Sequence, residues 1–165
     1  MWTVIKFDKK KYYLLLRELK DKLGGDCVIY RPKILIQKYK KNKLIDKEVD
    51  FLEGYFFCFH NNFRNKNFLN VAKSCIGLKD ILNGFEQLQL DIKNFIKKCK
   101  KSENSKGYVS QNFFEIILNS KYKFLSGPFS DKIFEIVKLQ KNKINILIGT
   151  TNTTINNKQY LFNPI

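Results

Sequence analysis

The side chains that could do metal or redox chemistry are few, and the four cysteines among them are widely spaced along the chain. These side chains are four cysteines and one histidine: Cys27, Cys58, Cys75, Cys99 and His60. A zinc site needs clustered ligands, and this spacing contains no Cys-x-x-Cys pair. We therefore expect no metal and no cofactor, and we interpret the cysteines as reduced, mostly buried thiols.

The chain also lacks the motifs by which most enzymes are recognised. It has no glycine-rich phosphate loop, no Gly-x-Ser-x-Gly, no His-Glu-x-x-His and no carboxylate pair at a useful spacing. His60 has no acidic partner in view, so we interpret it as a polar residue at a strand end rather than a general base. The sequence predicts a binding protein without catalytic residues.

The charge balance points to a polyanionic partner. The net charge is +16, and lysine supplies all but three of the 31 basic residues, the exceptions being Arg17, Arg31 and Arg64. Lys, Asn, Ile and Phe have A/T-rich codons and are all abundant, so genome composition can account for part of this excess. Lysine attracts phosphate as a point charge, whereas arginine suits specific contacts. Generic affinity for nucleic acid is expected, without base-specific reading.

No segment resembles a membrane span or a secretion signal. The first hydrophobic stretch, WTVIKF, is too short for a signal peptide, and no stretch approaches the roughly 18 apolar residues of a span. The apolar content of 44% is ample for a packed core. We expect a soluble, cytoplasmic protein that is monomeric and has no membrane partner.

Hydrophobic periodicity in the first hundred residues predicts alternating strands and helices. The predicted strands are 2–7, 27–39, 54–60 and 78–82, with residues 44–49 returning from a hairpin tip, and the predicted helices are 9–23, 68–75 and 86–99. Asp8 can cap the first helix, and KKNK (40–43) is a hairpin tip. The order β-α-β-β-α-β followed by a helix is that of the ferredoxin-like split βαβ fold, in the α+β class.

A polar run, KKCKKSENSKG (97–107), is the best candidate for a linker. Beyond it, the runs KYKFL, IFEIVKL, KINILIG and QYLFNPI are rich in β-forming residues and are separated by turns, which predicts a small β-barrel. We therefore predict domains at 1–99 and 113–165 with a linker at 100–112. The segment NFFEIILNS (112–120) could instead be helical.

Several segments, in this order, resemble the NusG family of transcription elongation factors, which includes RfaH. WTVIKF and the Lys-rich helix after it resemble the family's first strand and helix. DFLEGYFFCF resembles its Phe-Pro-Gly-Tyr strand, with Leu52 and Glu53 in place of Phe and Pro. KFLSGPFSDKIFEIVKLQKNKINILIG resembles its C-terminal KOW barrel. HNNFRNKNF (60–68) lacks the His-Thr-Thr element of RfaH, so the chain resembles a specialised paralogue.

The resemblance implies an N-terminal NGN domain that binds the clamp helices of the largest subunit of RNA polymerase. Such a domain lies beside non-template DNA and suppresses pausing, which makes the protein an elongation or antitermination factor. The KOW domain of the family recruits the termination factor Rho or a ribosomal protein. The segment matching its partner-binding loop is polar here, GTTNTTI, which argues against these two partners.

The strand GYFFCF is apolar on both faces, whereas one face of such a sheet is normally solvated. Its outer face should therefore be covered or should bind a partner. We predict a polymerase-docking surface formed by Trp2, Phe51, Leu52, Tyr55 and Phe57. The alternative is a strand buried on both sides by the trailing helix or the C-terminal domain.

The remaining candidates are basic or belong to the KOW segment. Those predicted to contact the DNA backbone are Lys9, Lys10, Lys11, Arg17, Arg64 and Lys66, although charge runs are often only solvated faces. Those predicted to contact the KOW partner are Phe129, Ile146 and Ile148. The alternative function is a ribosome- or RNA-associated protein whose KOW barrel and basic surface hold RNA.

Overall fold

The computed structural model describes residues 1–165 and divides them into two compact units. The first unit comprises Met1–Pro32 and Asp50–Cys99, and the second comprises Lys33–Val49 and Lys100–Ile165. Three α-helices and several antiparallel sheets make up the chain, which is the mixture of α and β structure that the sequence predicts. The hairpin at 33–49 belongs to the second unit, although it interrupts the first in sequence.

The elements follow one another in a regular order. They are β1 (Trp2–Phe7), α1 (Tyr12–Leu23), β2 (Val28–Tyr30), β3 (Lys33–Lys40), β4 (Lys43–Asp50), β5 (Tyr55–Phe59), α2 (Lys66–Lys73), β6 (Leu78–Ile81), α3 (Gln89–Ser102), β7 (Lys121–Phe124), β8 (Ile133–Leu139), β9 (Lys143–Ile148), β10 (Thr151–Asn156) and β11 (Phe162–Pro164). Short 3-10 turns occupy Lys9–Lys11, Asn61–Arg64 and Gln111–Phe113.

The sheet of the first unit has the strand order β2-β5-β1-β6. Every neighbouring pair is antiparallel, so β1 and β2, which flank β5, run parallel to each other. Helix α1 connects β1 to β2, and α2 lies between β5 and β6. The β1–β5 register places Trp2 opposite Phe59 and Lys6 opposite Tyr55.

Alternation along β1 and β5 gives this sheet two apolar faces. On one face Phe7 and Phe56 contact Tyr12 of α1, whose Leu15 and Leu19 are wholly buried. On the other face Phe95 of α3 packs against Phe57. The sheet is therefore covered by a helix on each side.

The segment 27–39, predicted as one extended stretch, forms two strands in different sheets. β2 joins the first sheet and β3 pairs with β4. The chain changes sheet at Arg31-Pro32, where Pro32 cannot donate a backbone hydrogen bond. The β3–β4 hairpin turns at Lys41 and Asn42, both in the left-handed region, as a two-residue type I′ turn requires.

The second unit contains a five-stranded antiparallel sheet in the order β10-β9-β8-β7-β11. Its wholly or almost wholly buried side chains form one apolar cluster: Tyr122, Phe124, Phe134, Ile136, Ile144, Ile146 and Phe162. Strand β10 was not predicted, because TNTTIN is polar. Its β-branched threonines suit an edge strand, and Ile155 contributes to the core.

Hydrogen bonds join the β3–β4 hairpin to the turn that precedes β8. Backbone N–H of Gln37 donates to the Leu125 carbonyl at 2.7 Å, and the Gln37 side chain accepts from Gly127 N–H at 2.7 Å. The Ser130 hydroxyl donates to the Gln37 carbonyl at 2.6 Å. Gly127 has a φ of +85°, and a Cβ there would lie 2.3 Å from the Tyr160 ring, so this turn needs glycine.

The segment predicted as a linker, 100–112, is hydrogen-bonded within the second unit. Helix α3 ends at Ser102, whose carbonyl accepts from Ser110 N–H at 2.9 Å. Asn104 N–H donates to the Tyr108 carbonyl at 2.8 Å and closes a turn. Residues 114–120, part of the segment that could have been helical, contain no helix.

Candidate functional site

A cleft of about 330 Å³ lies in the first unit, where the β1–α1 turn, the turn before β5 and the start of β6 meet. Its charged lining consists of Lys6, Asp8, Lys9, Lys10, Glu53 and Lys79. Four lysines therefore face two carboxylates, and both carboxylates are already engaged.

Asp8 caps the first turn after β1, as the sequence predicts. Its carboxylate accepts a hydrogen bond from Lys10 N–H at 2.9 Å, although the turn it caps is 3-10 rather than α-helical. Glu53 accepts from Lys9 Nζ at 2.6 Å, and this contact lowers the pKa of Glu53. Lys6, Lys10 and Lys79 form no ion pair, so the cleft keeps a positive charge suited to an anion.

Tyr55 lies next to Lys6, one of the lysines that line this cleft. Lys6 Nζ lies 5.8 Å from the centre of the Tyr55 ring, its cross-strand neighbour. Tyr55 N–H donates to the Leu52 carbonyl at 3.1 Å, and both side chains are half-buried. Phe51, also half-buried, stacks on Phe95 of α3 at 6.3 Å. Phe51, Leu52 and Tyr55, three of the five predicted docking residues, therefore lie near one another.

The other two predicted docking residues do not join this group. Phe57 is only 4% exposed because Phe95 covers it at 5.7 Å, so it belongs to the core rather than to a surface. At Phe57 the strand is therefore buried by the trailing helix α3, which is the alternative that the sequence left open. The Trp2 ring packs on that of Phe59, with 5.5 Å between the ring centres. Trp2 lies four residues before Lys6 in β1, so the two residues are about 13 Å apart along the strand.

Trp2 belongs instead to an apolar row that crosses three strands. Val28, Phe59 and Trp2 are register partners on β2, β5 and β1, and Val28 is 51% exposed. Alternation in GYFFCF places Phe59 on the face of Tyr55. Val28 could not be found from the sequence, because its place in the row depends on strand pairing.

The most exposed large apolar or aromatic side chain, Tyr13, was not predicted as functional. It is 84% exposed on α1, three residues after Lys10 and four before Arg17. Residues four apart are neighbours on a helix surface, so the Tyr13 ring lies beside the exposed Arg17, while the exposed Lys10 belongs to the 3-10 turn that precedes the helix. The i, i+4 spacing of Tyr13 and Arg17 was the available signal.

The six basic candidates form two groups. Lys9, Lys10, Lys11 and Arg17 follow the β1–α1 turn and helix α1, and Lys9 is occupied by Glu53. Arg64 and Lys66 are exposed near the opposite end of the sheet. A second cleft there, of about 450 Å³, is lined by residues that include Arg64, Phe59 and Lys93. No carboxylate lines this cleft.

The three KOW candidates differ in their accessibility. Ile146 is wholly buried in the core of the second unit, so it cannot contact a partner without unfolding. Phe129 and Ile148 are half-buried against that core, and the Phe129 ring lies 5.6 Å from that of Phe124. The polar stretch GTTNTTI (149–155) is largely strand β10.

No group of three or more His, Cys, Asp or Glu side chains could hold a metal ion. None of the helices combines the length and apolar character needed to cross a membrane.

Comparison with known proteins gives matches only at the level of solved structures. No protein-family model and no curated protein sequence matches the chain. The crystal structure of the MjSpt4:Spt5 complex in conformation B aligns over 100% of this chain and 98% of its own, with 11% identity and a TM-score of 0.30. Thermotoga maritima NusG aligns over 96% and 94%, with 10% identity and a TM-score of 0.34. Both identities and both TM-scores are low.

Proposed function

We propose that the chain is a non-enzymatic transcription elongation factor of the NusG type. Its first unit would be a ferredoxin-like NGN module that binds the clamp helices of RNA polymerase, and its second a KOW-type β-barrel. The ordered motifs WTVIKF, DFLEGYFFCF and SGPFSD support this proposal. The strand order β2-β5-β1-β6, with α1 and α2 in the connections, agrees with a split βαβ arrangement.

The observation that carries the proposal is the juxtaposition of apolar and basic groups at one end of the first sheet. Leu52 and Tyr55 are half-buried and flank, in sequence, Glu53 and Gly54, which line the four-lysine cleft. Partly exposed aromatic and aliphatic side chains next to cations suit a partner that offers an apolar protein surface and phosphates together. An elongating polymerase offers both.

Basic and aromatic residues of α1 would contact the non-template strand. Lys10 and Arg17 would bind backbone phosphates, and Tyr13, which lies between them in sequence, would stack on an unpaired base. These contacts tolerate any base, which agrees with the scarcity of arginine.

Pausing would be suppressed by differential affinity. A factor that binds the closed, elongating clamp more tightly than the paused state shifts the population toward elongation. A tenfold preference corresponds to about 1.4 kcal/mol, which a few apolar contacts can supply.

Two matched variants separate the two contacts. Tyr55→Asp and Tyr13→Asp make the same substitution at two tyrosines of the first unit. Each would be tested for binding to core RNA polymerase across a salt series, for binding to single-stranded DNA, and for pausing during transcription. We expect salt-tolerant polymerase binding to be lost in Tyr55→Asp only, because apolar docking is little screened by salt. DNA affinity should fall in Tyr13→Asp only.

Pausing should increase with Tyr55→Asp and with Leu52→Asp, provided that each variant melts cooperatively near the temperature of the wild type. An unchanged pausing pattern in both folded variants would contradict the mechanism. Polymerase binding that declines equally with salt in wild type and Tyr55→Asp would contradict the docking surface.

The alternative, an RNA- or ribosome-associated protein, is favoured by the β3–β4 hairpin of the second unit. Its exposed residues include Lys38, Lys40, Lys41, Lys43 and Lys47. Tyr39 among them is 56% exposed, and its hydroxyl donates to the Pro128 carbonyl at 3.2 Å. This function predicts RNA affinity that falls steeply with salt and is lost when the five lysines are replaced by glutamine.

A further inference from the structure

The sulfur atoms of Cys27 and Cys58 lie 2.9 Å apart, and both residues are free thiols. Cys58 is in β5, and Cys27 immediately precedes β2, the edge strand paired with β5. Ile29 is the register partner of Cys58, so alternation makes Cys27 its diagonal neighbour on the same face. A disulfide bond is about 2.05 Å long, so the two atoms need to approach by about 0.9 Å.

The two thiols are chemically unequal. Cys27 is half-buried between the exposed residues Asp26 and Val28, whereas Cys58 is wholly buried. The hydrogen bond between the two sulfur atoms lowers the pKa of Cys27, and the same contact, together with burial, raises the pKa of Cys58. Cys27 is therefore the thiol that solvent can reach and that ionises first, which are the two properties of a reactive cysteine.

We propose that Cys27 and Cys58 are an oxidative modification site that closes to a reversible disulfide on reaction with hydrogen peroxide. The Cys27 thiolate attacks one peroxide oxygen: an S–O bond forms, the O–O bond breaks, and the departing hydroxide takes up a proton to become water. The Cys58 sulfur then attacks the sulfenic sulfur of Cys27. The S–S bond forms, the S–O bond breaks, and the leaving hydroxide takes the Cys58 proton. Two thiols lose two electrons, and one peroxide becomes two waters.

The bridge would act on the weakest strand of the first sheet. β2 has three residues and a single neighbour, β5. A bond from Cys27 to Cys58 closes a loop of about 30 residues that includes the whole β3–β4 hairpin. Closing such a loop should raise the melting temperature of the first unit by about 15–25 °C. This inference does not depend on the proposed role in transcription.

The test uses the full chain, treated with stoichiometric hydrogen peroxide and then alkylated in denaturant. We expect a mass loss of about 2 Da and alkylation of two thiols instead of four. Trypsin should release residues 23–33 linked to residues 48–64, and dithiothreitol should separate these peptides. The melting temperature should rise in the wild type and in Cys75→Ser, and should not respond to peroxide in Cys27→Ser.

Cys75→Ser is the matched control, because Cys75 is another thiol of the first unit and is buried. Four alkylatable thiols after treatment would overturn the proposal. So would oxidation of Cys27 to the sulfinic acid without a cross-linked peptide, or a bridge from Cys27 to Cys75.

Discussion

The Arg31–Asp50 ion pair is expected to contribute more to the stability of the first unit than its exposed charges do. Arg31 Nη2 lies 2.5 Å from Asp50 Oδ1, and the two side chains are 22% and 7% exposed. The guanidinium carbon also lies 4.1 Å from the centre of the Tyr12 ring and 5.4 Å from that of Phe7. Arg31 thus joins α1, β1 and Asp50, the last residue of β4.

The expected loss can be worked out from these contacts. Removing one partner of a buried pair costs about 3–5 kcal/mol, because the other charge stays desolvated, and the cation–π contact adds about 1 kcal/mol. Arg31 keeps some water contact, so we expect the lower end of the combined range, about 4 kcal/mol, for Arg31→Met. Asp50→Asn removes the charge but leaves a hydrogen-bond acceptor, and should cost about 1.5 kcal/mol.

The pair should be coupled, so the double variant should lose about 2 kcal/mol less than the sum of the single losses. Urea unfolding followed by tryptophan fluorescence measures these values for the first unit alone, because Trp2 is the only tryptophan and lies in β1. Additive losses, agreeing to within about 0.5 kcal/mol, would refute the reasoning. Lys9→Met, which breaks the exposed Lys9–Glu53 pair of the same unit, is the control and should leave the urea midpoint unchanged.

Two further substitutions test the local geometry of each unit. Gly77 has a φ of +94°, and a Cβ there would lie 2.9 Å from Lys11 Cβ, so Gly77→Ala should cost about 2 kcal/mol or more in urea unfolding. Gly84→Ala, at a φ of +78° with its nearest neighbouring atom 4.0 Å away, should cost only about 1 kcal/mol, and equal losses would exclude the clash. In the second unit, the wholly buried Tyr122 hydroxyl accepts from Ile117 N–H at 2.8 Å, so Tyr122→Phe should cost about 1–2 kcal/mol and lower the melting temperature measured by circular dichroism. Tyr39→Phe, at an exposed tyrosine, is its control, and equal shifts would contradict the role of the buried hydroxyl.

Most elements could be predicted because their signals are local. The WTVIKF strand, the Asp8 cap, the Leu15–Leu19–Leu23 stripe of α1 and the turn at Lys41-Asn42 depend on residues a few positions apart. The same holds for three strands of the second unit, β7, β8 and β9, whose apolar residues alternate. Such patterns need no knowledge of tertiary contacts.

The features that could not be predicted depend on distant residues. Alternation shows that Phe57 and Tyr55 share a face, but only the position of Phe95 decides that Phe57 is covered and Tyr55 is not. Strand β10 carries one buried apolar residue, Ile155, which is too weak a pattern to recognise alone. Tyr13 was missed because its neighbour, Arg17, was considered as a charge only.

The path of the chain also determines which residues a separately expressed first unit would have to contain. The polypeptide passes between the two units at Pro32-Lys33, at Val49-Asp50 and at Cys99-Lys100. A fragment ending at residue 99 would keep the β3–β4 hairpin but lose Leu125, Gly127 and Ser130, which satisfy the hydrogen-bonding groups of Gln37. Within the first unit, the chain segments before and after the hairpin are bonded directly to each other. Phe51 N–H donates to the Pro32 carbonyl at 2.9 Å, and Arg31 pairs with Asp50. Residues 1–32 joined directly to 50–99 therefore form the self-contained unit, and the hairpin is part of the second unit's structure.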